Sequence, residues 1–494
     1  MNFQIIFYII GYVLKIEGLL MFIPALVGLV YREKEGLSFL FLAAVILLIG
    51  WLITRIKPKN QIFYAREGFV SVALSWIVLS LFGSLPFILN GDIPRFADAF
   101  FETVSGFTTT GSTILADVEA LSHASLFWRS FTHWIGGMGV LVFILSILPI
   151  TGGATMHLMR AESPGPQVGK IVPKIKDTSK ILYIIYTVMT VAEILILICC
   201  RMPVFDAVTL SLGSAGTGGF AIRNSGLADY SAVCQYIIAI FVILFGVNFN
   251  VYFLLIRRHL RQAARCEEAR WYGIIIALST LLIFANTLKM FSTAEEAFRH
   301  AFFQVGSIIT TTGYGTTDFN LYPEFSKVIL VILMFIGACA GSTGGGIKVS
   351  RIVILVKSVF NELAQIIHPR TVKKARLEGK VIDHSTMRSV NTYMAAYVLL
   401  FFASFLLISL DNMDLTTNFT AVAATLNNIG PGLNVVGPLG NFSGFSDLSK
   451  YIFCFNMLAG RLELFPMLIL FNPQTWKQPF RRRKELQNAE KTTE

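Results

Sequence analysis

Four polar tracts that contain glycine interrupt long apolar segments of the chain. They read FFETVSGFTTTGST from Phe100, FDAVTLSLGSAGTGG from Phe205, FFQVGSIITTTGYGT from Phe302 and FTAVAATLNNIGPGL from Phe419. Eleven residues after each of these phenylalanines stands a glycine: Gly111, Gly216, Gly313 and Gly430. Repetition in a single register indicates four copies of one structural unit.

The chemistry that these tracts predict is coordination of a monovalent cation by backbone carbonyl groups. The amphipathic stretch before each glycine is about ten residues long, too short to cross ~30 Å of hydrocarbon. A short helix must therefore enter the membrane, stop partway and return as extended chain, which is tolerated only where it is buried in protein or lines a watery path. Four such loops around one axis would form rings of carbonyl oxygens that replace an ion's hydration shell. Ordinary extracellular turns are the alternative.

A further glycine-rich tract, GACAGSTGGGIK from Gly337 to Lys348, lies within an apolar segment after the third repeat. Three consecutive glycines each forfeit about 1 kcal/mol of helix propensity, so we expect a loop there that lines the path and can occlude it. The residues of this candidate gate are Gly341, Ser342, Thr343, Gly344, Gly345, Gly346 and Lys348. A nucleotide-binding P-loop fails on spacing, since Ile347 separates Gly346 from Lys348. Close helix packing through glycine stays open as an alternative.

Arg461 lies in the apolar segment CFNMLAGRLELFPMLILF, about fourteen residues past Asp447. An arginine near mid-membrane costs at least ~2.5 kcal/mol and usually faces a partner or a cavity. Glu463 is two residues away and therefore lies on a different helix face. We expect Arg461 to face the path, to meet carbonyl groups of the Gly341–Gly346 loop and to act as a barrier. A structural arginine that bridges helices elsewhere is the alternative.

Composition sets these tracts in a membrane. Of the 494 residues, 54% are hydrophobic and 14% are charged, whereas a soluble protein has about 25% charged residues. The formal net charge of +11 does not indicate nucleic acid, because the basic residues cluster in alternate loops, as the positive-inside rule describes. The clusters are Arg55–Arg66, Arg160–Lys180, Arg257–Arg270, Arg370–Lys380 and Arg481–Lys484. This alternation places both termini in the cytoplasm.

These elements predict an all-α polytopic membrane protein. Two N-terminal transmembrane helices precede four pseudo-repeated helix–pore-loop–helix units around a pseudo-fourfold axis, with about ten membrane spans and four re-entrant pore helices. The expected boundaries are 1–60 for the N-terminal extension, 61–150 for unit 1, 151–265 for unit 2 with its preceding cytoplasmic loop, 266–362 for unit 3 with the gating loop, and 363–494 for unit 4 and the basic tail. We expect Lys15 and Glu17 of the first span to pair with neighbouring helices.

The tract TTTGYG, from Thr310 to Gly315, resembles a potassium-channel filter, and the four tracts together resemble the Trk/Ktr/HKT superfamily of potassium transporters. The resemblance covers essentially the whole chain. Three segments, RAESPGPQVGK (Arg160–Lys170), NNIGPGL (Asn427–Leu433) and GACAGSTGGGIK, are typical of its bacterial TrkH-type branch. The resemblance implies a potassium path along the pseudo-fourfold axis, with potassium as substrate, in a bacterial inner membrane.

Carried over residue by residue, the resemblance implies a potassium filter with three residues from each unit. These are Thr109, Thr110 and Gly111; Ser214, Ala215 and Gly216; Thr311, Thr312 and Gly313; and Asn428, Ile429 and Gly430. In plant members of the superfamily a serine at the first-unit glycine accompanies sodium transport, so Gly111 favours potassium. Units 2 and 4 depart from the threonine-rich pattern, which leaves the degree of selectivity over sodium open.

Passive, channel-like potassium uptake is the leading function, and two others stay open. A proton- or sodium-coupled symporter could use Glu193, in TVAEILILICC, although a structural hydrogen bond is the commoner role for a buried carboxylate. A membrane-embedded lipid-modifying enzyme would use Arg461 and histidines. Since no nucleophile–base pair or metal triad appears, we expect no enzymatic activity. His123 and His133, which flank ASLFWRSFT, are expected at an interface or in helix packing.

The resemblance also implies partners. It suggests a homodimer and a cytoplasmic nucleotide-binding ring of the TrkA type as regulator. A nucleotide would then act only through the partner, and we expect no covalently bound cofactor in this chain. The basic loops and tail offer such a ring a surface. The same clusters could instead be topology signals or contacts to anionic lipid.

Overall fold

The computed structural model of the chain describes residues 1–58, 64–139, 175–369 and 376–477. These residues form helices joined by turns, with one antiparallel hairpin of Arg376–Leu377 (β1) and Lys380–Val381 (β2). Within them, six helices are long and apolar enough to cross a membrane, or up to seven if the bent pair Ala232–Phe245 and Phe249–Ile256 is one span. The predicted all-α polytopic membrane class is confirmed. The predicted number of spans stays a prediction.

The N-terminal extension is a helical hairpin of α1 (Phe3–Leu20), α2 (Phe22–Val30) and α3 (Glu35–Arg55). Helices α2 and α3 approach each other closely, as the glycines show: a Cβ atom added to Gly28 would lie 2.7 Å from the Cα of Gly36. Lys15 lies over the ring of Tyr12 on its own helix. The buried carboxylate of Glu17 has no hydrogen-bonding partner among the described residues. The pairing expected for these two charges is therefore not found in the described part of the chain.

Four groups of helices follow, and each has the same order of elements: a long helix, a short helix, extended chain and another helix. Unit 1 contains α4 (Ala65–Gly83), α5 (Leu85–Asn90), α6 (Phe96–Phe107) and α7 (His123–Gly137). Unit 2 contains α8 (Ile175–Cys199), α9 (Val204–Gly216), α10 (Ala232–Phe245), α11 (Phe249–Ile256) and α12 (Leu260–Ala264). Unit 3 contains α13 (Glu267–Thr287), α14 (Ala294–Ile309), α15 (Glu324–Ile336) and α16 (Val349–Ile367). Unit 4 contains α17 (His384–Ile408), α18 (Leu415–Asn427), α19 (Asp447–Arg461), α20 (Phe465–Leu468) and α21 (Pro473–Trp476).

The short helices of the four units are α6, α9, α14 and α18, with 12, 13, 16 and 13 residues. Local sequence accounts for where they begin. Acidic residues occupy the first turn of α6, α9 and α14, and Asp414 caps α18 by accepting a hydrogen bond from the Thr417 N–H at 3.0 Å. A carboxylate at this end is stabilised by the positive pole of the helix dipole. The negative poles lie at the opposite ends, where the glycine tracts follow.

The unit boundaries expected from the sequence remain a prediction, and one of them falls within a helix. Position 362, the predicted end of unit 3, lies inside α16, which continues to Ile367. The basic segments Arg160–Lys170, 370–375 and Arg481–Lys484 lie outside the described residues.

Candidate functional site

Each of the four short helices ends in the same backbone turn. Within two residues of each helix end, one residue is left-handed: Thr109 (φ 56°), Thr217 (φ 53°), Thr311 (φ 60°) and Asn428 (φ 57°). The N–H of the next residue donates to a carbonyl five residues back: Thr110 to Ser105 at 2.9 Å, Gly218 to Gly213 at 2.8 Å, Thr312 to Ser307 at 2.8 Å and Ile429 to Ala424 at 2.9 Å. This is a Schellman-type helix end. A glycine with positive φ follows in every case: Gly111, Gly219, Gly313 and Gly430.

The four segments that follow these turns form a closed ring. Each glycine lies against the carbonyl oxygen of the next unit, as the position of an added Cβ atom indicates. A Cβ atom added to Gly111 would lie 2.1 Å from the Gly218 oxygen, and one added to Gly219 would lie 1.8 Å from the Thr312 oxygen. One added to Gly313 would lie 1.9 Å from the Ile429 oxygen, and one added to Gly430 would lie 2.9 Å from the Thr110 oxygen. Only glycine combines a positive φ with such a close backbone approach. The order of contacts runs from unit 1 through units 2, 3 and 4 and back to unit 1.

The ring contains buried carbonyl groups without hydrogen-bond donors. Two successive carbonyl oxygens in each unit accept no hydrogen bond from any described residue; they belong to Thr109 and Thr110, Thr217 and Gly218, Thr311 and Thr312, and Asn428 and Ile429. The side chains of these threonines are at most 1% exposed. Buried backbone carbonyls are nearly always paired in proteins. A set of unpaired oxygens arranged around one centre is therefore suited to hold a cation.

The residues expected for unit 2 lie three positions before those that match the backbone turns of the other units. Ser214, Ala215 and Gly216 lie in the last turn of α9, and the positions equivalent to Thr109, Thr110 and Gly111 are Thr217, Gly218 and Gly219. The offset arises because the phenylalanine from which the residues were counted occupies a different position in unit 2. Phe205 lies twelve residues before the left-handed Thr217, whereas Phe100 lies nine before Thr109. Val208 stands at the equivalent position of α9, almost one helical turn after Phe205 and on the same face.

The tract from Gly341 to Lys348 is a loop between α15 and α16 that lies against the ends of two short helices. The N–H of Gly345 donates to Thr311 Oγ1 at 2.6 Å, and the N–H of Gly346 donates to the Asn427 oxygen at 3.1 Å. A Cβ atom at Gly344 would lie 2.7 Å from the Thr310 oxygen, and one at Gly345 would lie 2.4 Å from the Asn427 oxygen. The loop therefore packs directly against units 3 and 4 at the helix-end side of the ring.

Arg461 joins this loop to unit 1. Its Nη1 donates to the Thr343 oxygen at 2.7 Å, and its Nη2 donates to the oxygens of Gly136 and Gly137 at 2.5 and 2.6 Å. Arg461 and Lys348 also line a cavity of about 90 Å³. The expected contact between Arg461 and the loop is present, and the two carbonyls at the end of α7 are additional partners. Lys348 Nζ donates to the oxygen of Gly344 within the same loop.

Three buried carboxylates near these elements make contacts that the sequence did not indicate. Glu268 accepts hydrogen bonds from the N–H groups of Ala340 and Ser350, at 2.7 and 3.0 Å, and so holds both ends of the loop. Glu463 pairs with Arg351. Glu102 of α6 accepts from Arg129 of α7 at 2.9 Å. Each contact joins residues far apart in the chain, so no local spacing could indicate it.

Glu102 also organises the chain that follows the unit 1 turn. Its carboxylate accepts from Thr113 Oγ1 at 3.0 Å and from the Ile114 N–H at 3.0 Å. Its partner Arg129 donates through Nη1 to the Ala221 oxygen of unit 2 at 3.2 Å. The ion pair is almost completely buried, with side chains 2% and 0% exposed. It therefore ties the outgoing segments of units 1 and 2 together.

The remaining candidates are Glu193, His123 and His133. Glu193 of α8 is 0% exposed and lies beside Ser214 of α9, yet neither side chain has a hydrogen-bonding partner of normal geometry among the described residues. His123 Nδ1 lies 2.7 Å from Glu33 of the N-terminal hairpin. His133 is fully buried between α6 and unit 2. No group of three metal-ligating side chains occurs in the part of the chain that the structure describes.

Comparison with known proteins gives consistent matches over nearly the full length. The family model of TrkH cation transport proteins matches residues 37–478. The Trk system potassium uptake protein TrkH of Escherichia coli K12 is 40% identical over 490 residues, which are 97% of this chain and 100% of that protein. The TrkG protein of the same strain, also described as a Trk system potassium uptake protein, is 32% identical over 485 residues, or 96% of this chain and 99% of that protein. The crystal structure of the potassium transporter TrkH from Vibrio parahaemolyticus is similar with a TM-score of 0.86 and 35% identity, covering 97% of this chain and 100% of that one.

Proposed function

Because the chain belongs to the TrkH family of cation transport proteins, we propose that it takes up potassium across a bacterial inner membrane by channel-like conduction. One observation carries the proposal: the closed ring of buried carbonyl oxygens that accept no hydrogen bond from the described residues. Leaving such acceptors unpaired is costly, and a dehydrated potassium ion would satisfy several of them at once. The relatives are transporters, and we assign this chain no enzymatic activity.

The proposed filter takes three residues from each unit, with the register of unit 2 corrected. They are Thr109, Thr110 and Gly111; Thr217, Gly218 and Gly219; Thr311, Thr312 and Gly313; and Asn428, Ile429 and Gly430. The ion would meet backbone oxygens rather than side chains. The four quarters can therefore differ in sequence and still offer similar ligands, because all share the same backbone turn.

The proposed gate is the Gly341–Lys348 loop together with Arg461. In the described conformation Arg461 bonds to the loop on one side and to the end of α7 on the other. A guanidinium group held across a cation path repels the ion and blocks it sterically. Conduction would then require that these hydrogen bonds break and the loop move away from Thr311 and Asn427.

We also propose an orientation and a regulator, and the basic clusters support both. We place both termini and the basic clusters in the cytoplasm, as the positive-inside rule suggests. Arg257, Arg258, Arg261, Arg265 and Arg270 are all exposed around α12 and would face a cytoplasmic nucleotide-binding ring of the TrkA type. We also propose a homodimer, as the resemblance implies.

Coupled symport is a second candidate, favoured by Glu193. A buried carboxylate without a hydrogen-bonding partner in a membrane helix is a recognised mark of proton pathways. However, Glu193 lies beside Ser214 in the last turn of α9, before the ring residues Thr217 and Gly218. We therefore rank symport below passive conduction.

The filter proposal is tested by two alanine substitutions in the same tract. At Gly313, with φ 84°, a Cβ atom would lie 1.9 Å from the Ile429 oxygen, whereas at Gly315 the nearest atom would be 3.4 Å away in Pro438. We expect Gly313→Ala to abolish potassium-dependent growth of uptake-deficient bacteria and Gly315→Ala to support it. Equal growth with both variants, at equal amounts of protein in the membrane, would contradict the filter assignment.

A further inference from the structure

We propose that His133 of α7 is a positioning residue of the ion filter, which holds the unit 2 segment in the place of the threonine pair found in units 1 and 3. The inference rests on the proposed function, since it concerns the same ring. It follows from the hydrogen bonds of the imidazole, the space it occupies, and the absence of a side chain at Gly218.

The imidazole joins two units through both of its nitrogen atoms. Nδ1 lies 2.7 Å from the carbonyl oxygen of Gly106 on α6, and Nε2 accepts the N–H of Phe220 at 3.2 Å. A carbonyl can only accept and a backbone N–H can only donate, so the hydrogen must be on Nδ1 and the ring must be neutral. Phe220 directly follows Gly219, the ring glycine of unit 2. His133 therefore sets the position of that segment relative to short helix α6.

In units 1 and 3 the equivalent support comes from threonines of the same segment. Thr108 and Thr110 share a hydrogen bond of 2.8 Å between their hydroxyl groups, and so do Thr310 and Thr312. Unit 2 has glycine at both corresponding positions, Gly216 and Gly218. It therefore has no hydroxyl pair of its own.

The space that a side chain at position 218 would need is filled by His133. A Cβ atom at Gly218 would lie 2.1 Å from Cγ and 2.3 Å from Nδ1 of the imidazole, and one at Gly216 would lie 2.2 Å from the His133 carbonyl oxygen. Histidine at 133 and glycine at 216 and 218 thus require one another. The unit 2 segment is therefore supported by His133 of unit 1 instead of by side chains of its own tract.

Arg129, on the preceding turn of α7, also holds the unit 2 segment in place. It lies four residues before His133 and so on the same face of the helix. Its guanidinium carbon lies 4.0 Å from the centre of the Phe220 ring, and its Nη1 donates to the Ala221 oxygen. Two successive contacts from α7 therefore fix residues 220 and 221, immediately beyond the ring.

This arrangement predicts that the imidazole affects which ion passes and not only how much protein folds. If the Phe220 N–H loses its acceptor, the unit 2 carbonyls can shift, and the ring then suits ions of other sizes. His133→Phe keeps an aromatic ring but removes both hydrogen bonds. His133→Gln keeps an amide that can donate and accept.

The experiment measures initial rates of potassium and sodium uptake into proteoliposomes that contain the full chain. We expect His133→Phe to lower the potassium-to-sodium ratio about fivefold, the factor of one hydrogen bond, and His133→Gln to restore most of it. His123→Phe is the matched control on the same helix, and its ratio should equal that of the wild type. A lower rate for both ions with an unchanged ratio in the His133 variants would overturn the proposal.

Two further measurements keep the outcome clear. Nitrogen-15 NMR of the wild-type protein should show a neutral His133 with its hydrogen on Nδ1; a hydrogen on Nε2 would overturn the proposal even if every variant failed to fold. Gly313→Ala in the same vesicles separates the two hypotheses. If it transports normally, the filter assignment is wrong, whereas if it is inactive and His133→Phe keeps its ratio, only the role of His133 is wrong.

Discussion

At the scale of single residues, the four backbone turns are alike, but different side chains stabilise them. Threonine hydroxyl pairs serve units 1 and 3, whereas in unit 4 Asn428 Nδ2 donates to Thr110 Oγ1 at 2.9 Å and to the Met457 oxygen at 2.8 Å. Asn428 therefore links the fourth quarter to the first. Substitutions at equivalent positions of the four tracts should accordingly have unequal effects, because each removes a different support.

Arg461→Ala should raise potassium flux several-fold. The substitution removes the three hydrogen bonds by which Arg461 joins the loop to the end of α7, and in the proposed gate it also removes the charge that repels the cation. Arg461→Lys should give an intermediate flux, because lysine keeps the charge but not the planar set of donors. Potassium flux into proteoliposomes checks both variants, and a flux at or below that of the wild type in Arg461→Ala, with normal amounts of protein, would argue against the barrier.

Glu193→Gln distinguishes passive conduction from symport. Glutamine keeps the size of the side chain but carries no exchangeable carboxyl proton. If conduction is passive, we expect the reversal potential to follow the potassium gradient alone in both the wild type and Glu193→Gln. A reversal potential that follows the proton gradient in the wild type and not in Glu193→Gln would establish proton coupling instead.

At the scale of elements, the loop between α15 and α16 is held by few contacts with the ring. The hydrogen bond from the Gly345 N–H to Thr311 Oγ1 is one, and the bond from Gly346 to Asn427 is another. The ends of the loop are held separately by Glu268, through Ala340 and Ser350. We propose that the centre of the loop moves while its ends remain in place.

Thr311→Val should raise the basal flux of potassium. Valine has nearly the shape of threonine but cannot accept the Gly345 N–H, and the loss of about 1 kcal/mol would shift the loop toward the open state about fivefold. Thr109→Val is the matched control, because Thr109 has the same left-handed backbone and its hydroxyl bonds only to the Thr108 oxygen in the described part of the chain. Flux that rises equally in both variants would show that the hydroxyl affects the ring and not the loop.

At the scale of the whole molecule, the N-terminal hairpin is attached to the ring-forming units at its turn. Glu33 accepts hydrogen bonds from the N–H groups of His123 and Ala124 at 3.0 and 3.1 Å, and thus caps α7. Tyr31 stacks on His123 with ring centres 3.9 Å apart and meets Phe205 of α9 edge-on. The hairpin therefore contacts both of the units that His133 and Arg129 join further along α7.

The contribution of Glu33 to stability should depend on pH. Burial opposes ionisation, but the hydrogen bonds from His123 and Ala124 outweigh it and lower the pKa of Glu33 below its ordinary 4.5. The stabilisation is therefore present above pH 4.5 and is lost as the pH falls through the lowered pKa. Thermal unfolding in detergent should show Glu33→Gln to be less stable than wild type by about 1 kcal/mol at neutral pH, with the difference vanishing in acid.

Glu362→Gln is the control for that measurement. Because Glu362 is exposed in the interior of α16, away from the first turn of the helix, the substitution should change stability little at any pH. A difference between wild type and Glu33→Gln that persists in acid would contradict the capping role.

The sequence by itself determined the membrane class, the four glycine tracts, the deep arginine and the glycine-rich loop. Each depends on local composition: apolar segments of spanning length, glycine where helix propensity fails, and a charge within hydrocarbon. The register of three tracts also followed from counting, because Phe100, Phe302 and Phe419 stand at equal distances from the turn. Counting from the phenylalanine gave a different register in unit 2, because Phe205 lies about one helical turn earlier in its helix than the other three phenylalanines do. Residues three apart share a helix face, so the early phenylalanine leaves the amphipathic pattern of the helix unchanged.

Only the tertiary structure decided which backbone positions meet in the ring and what supports them. The equivalence of Gly219 with Gly111 emerged from matching hydrogen bonds at the helix ends. The contacts of His133 with Gly106 and Phe220, of Glu102 with Arg129, and of Glu268 with both ends of the loop join segments that are distant in the chain. Such pairings depend on how helices pack, and helix packing is set by the shapes of whole faces rather than by any spacing along one of them.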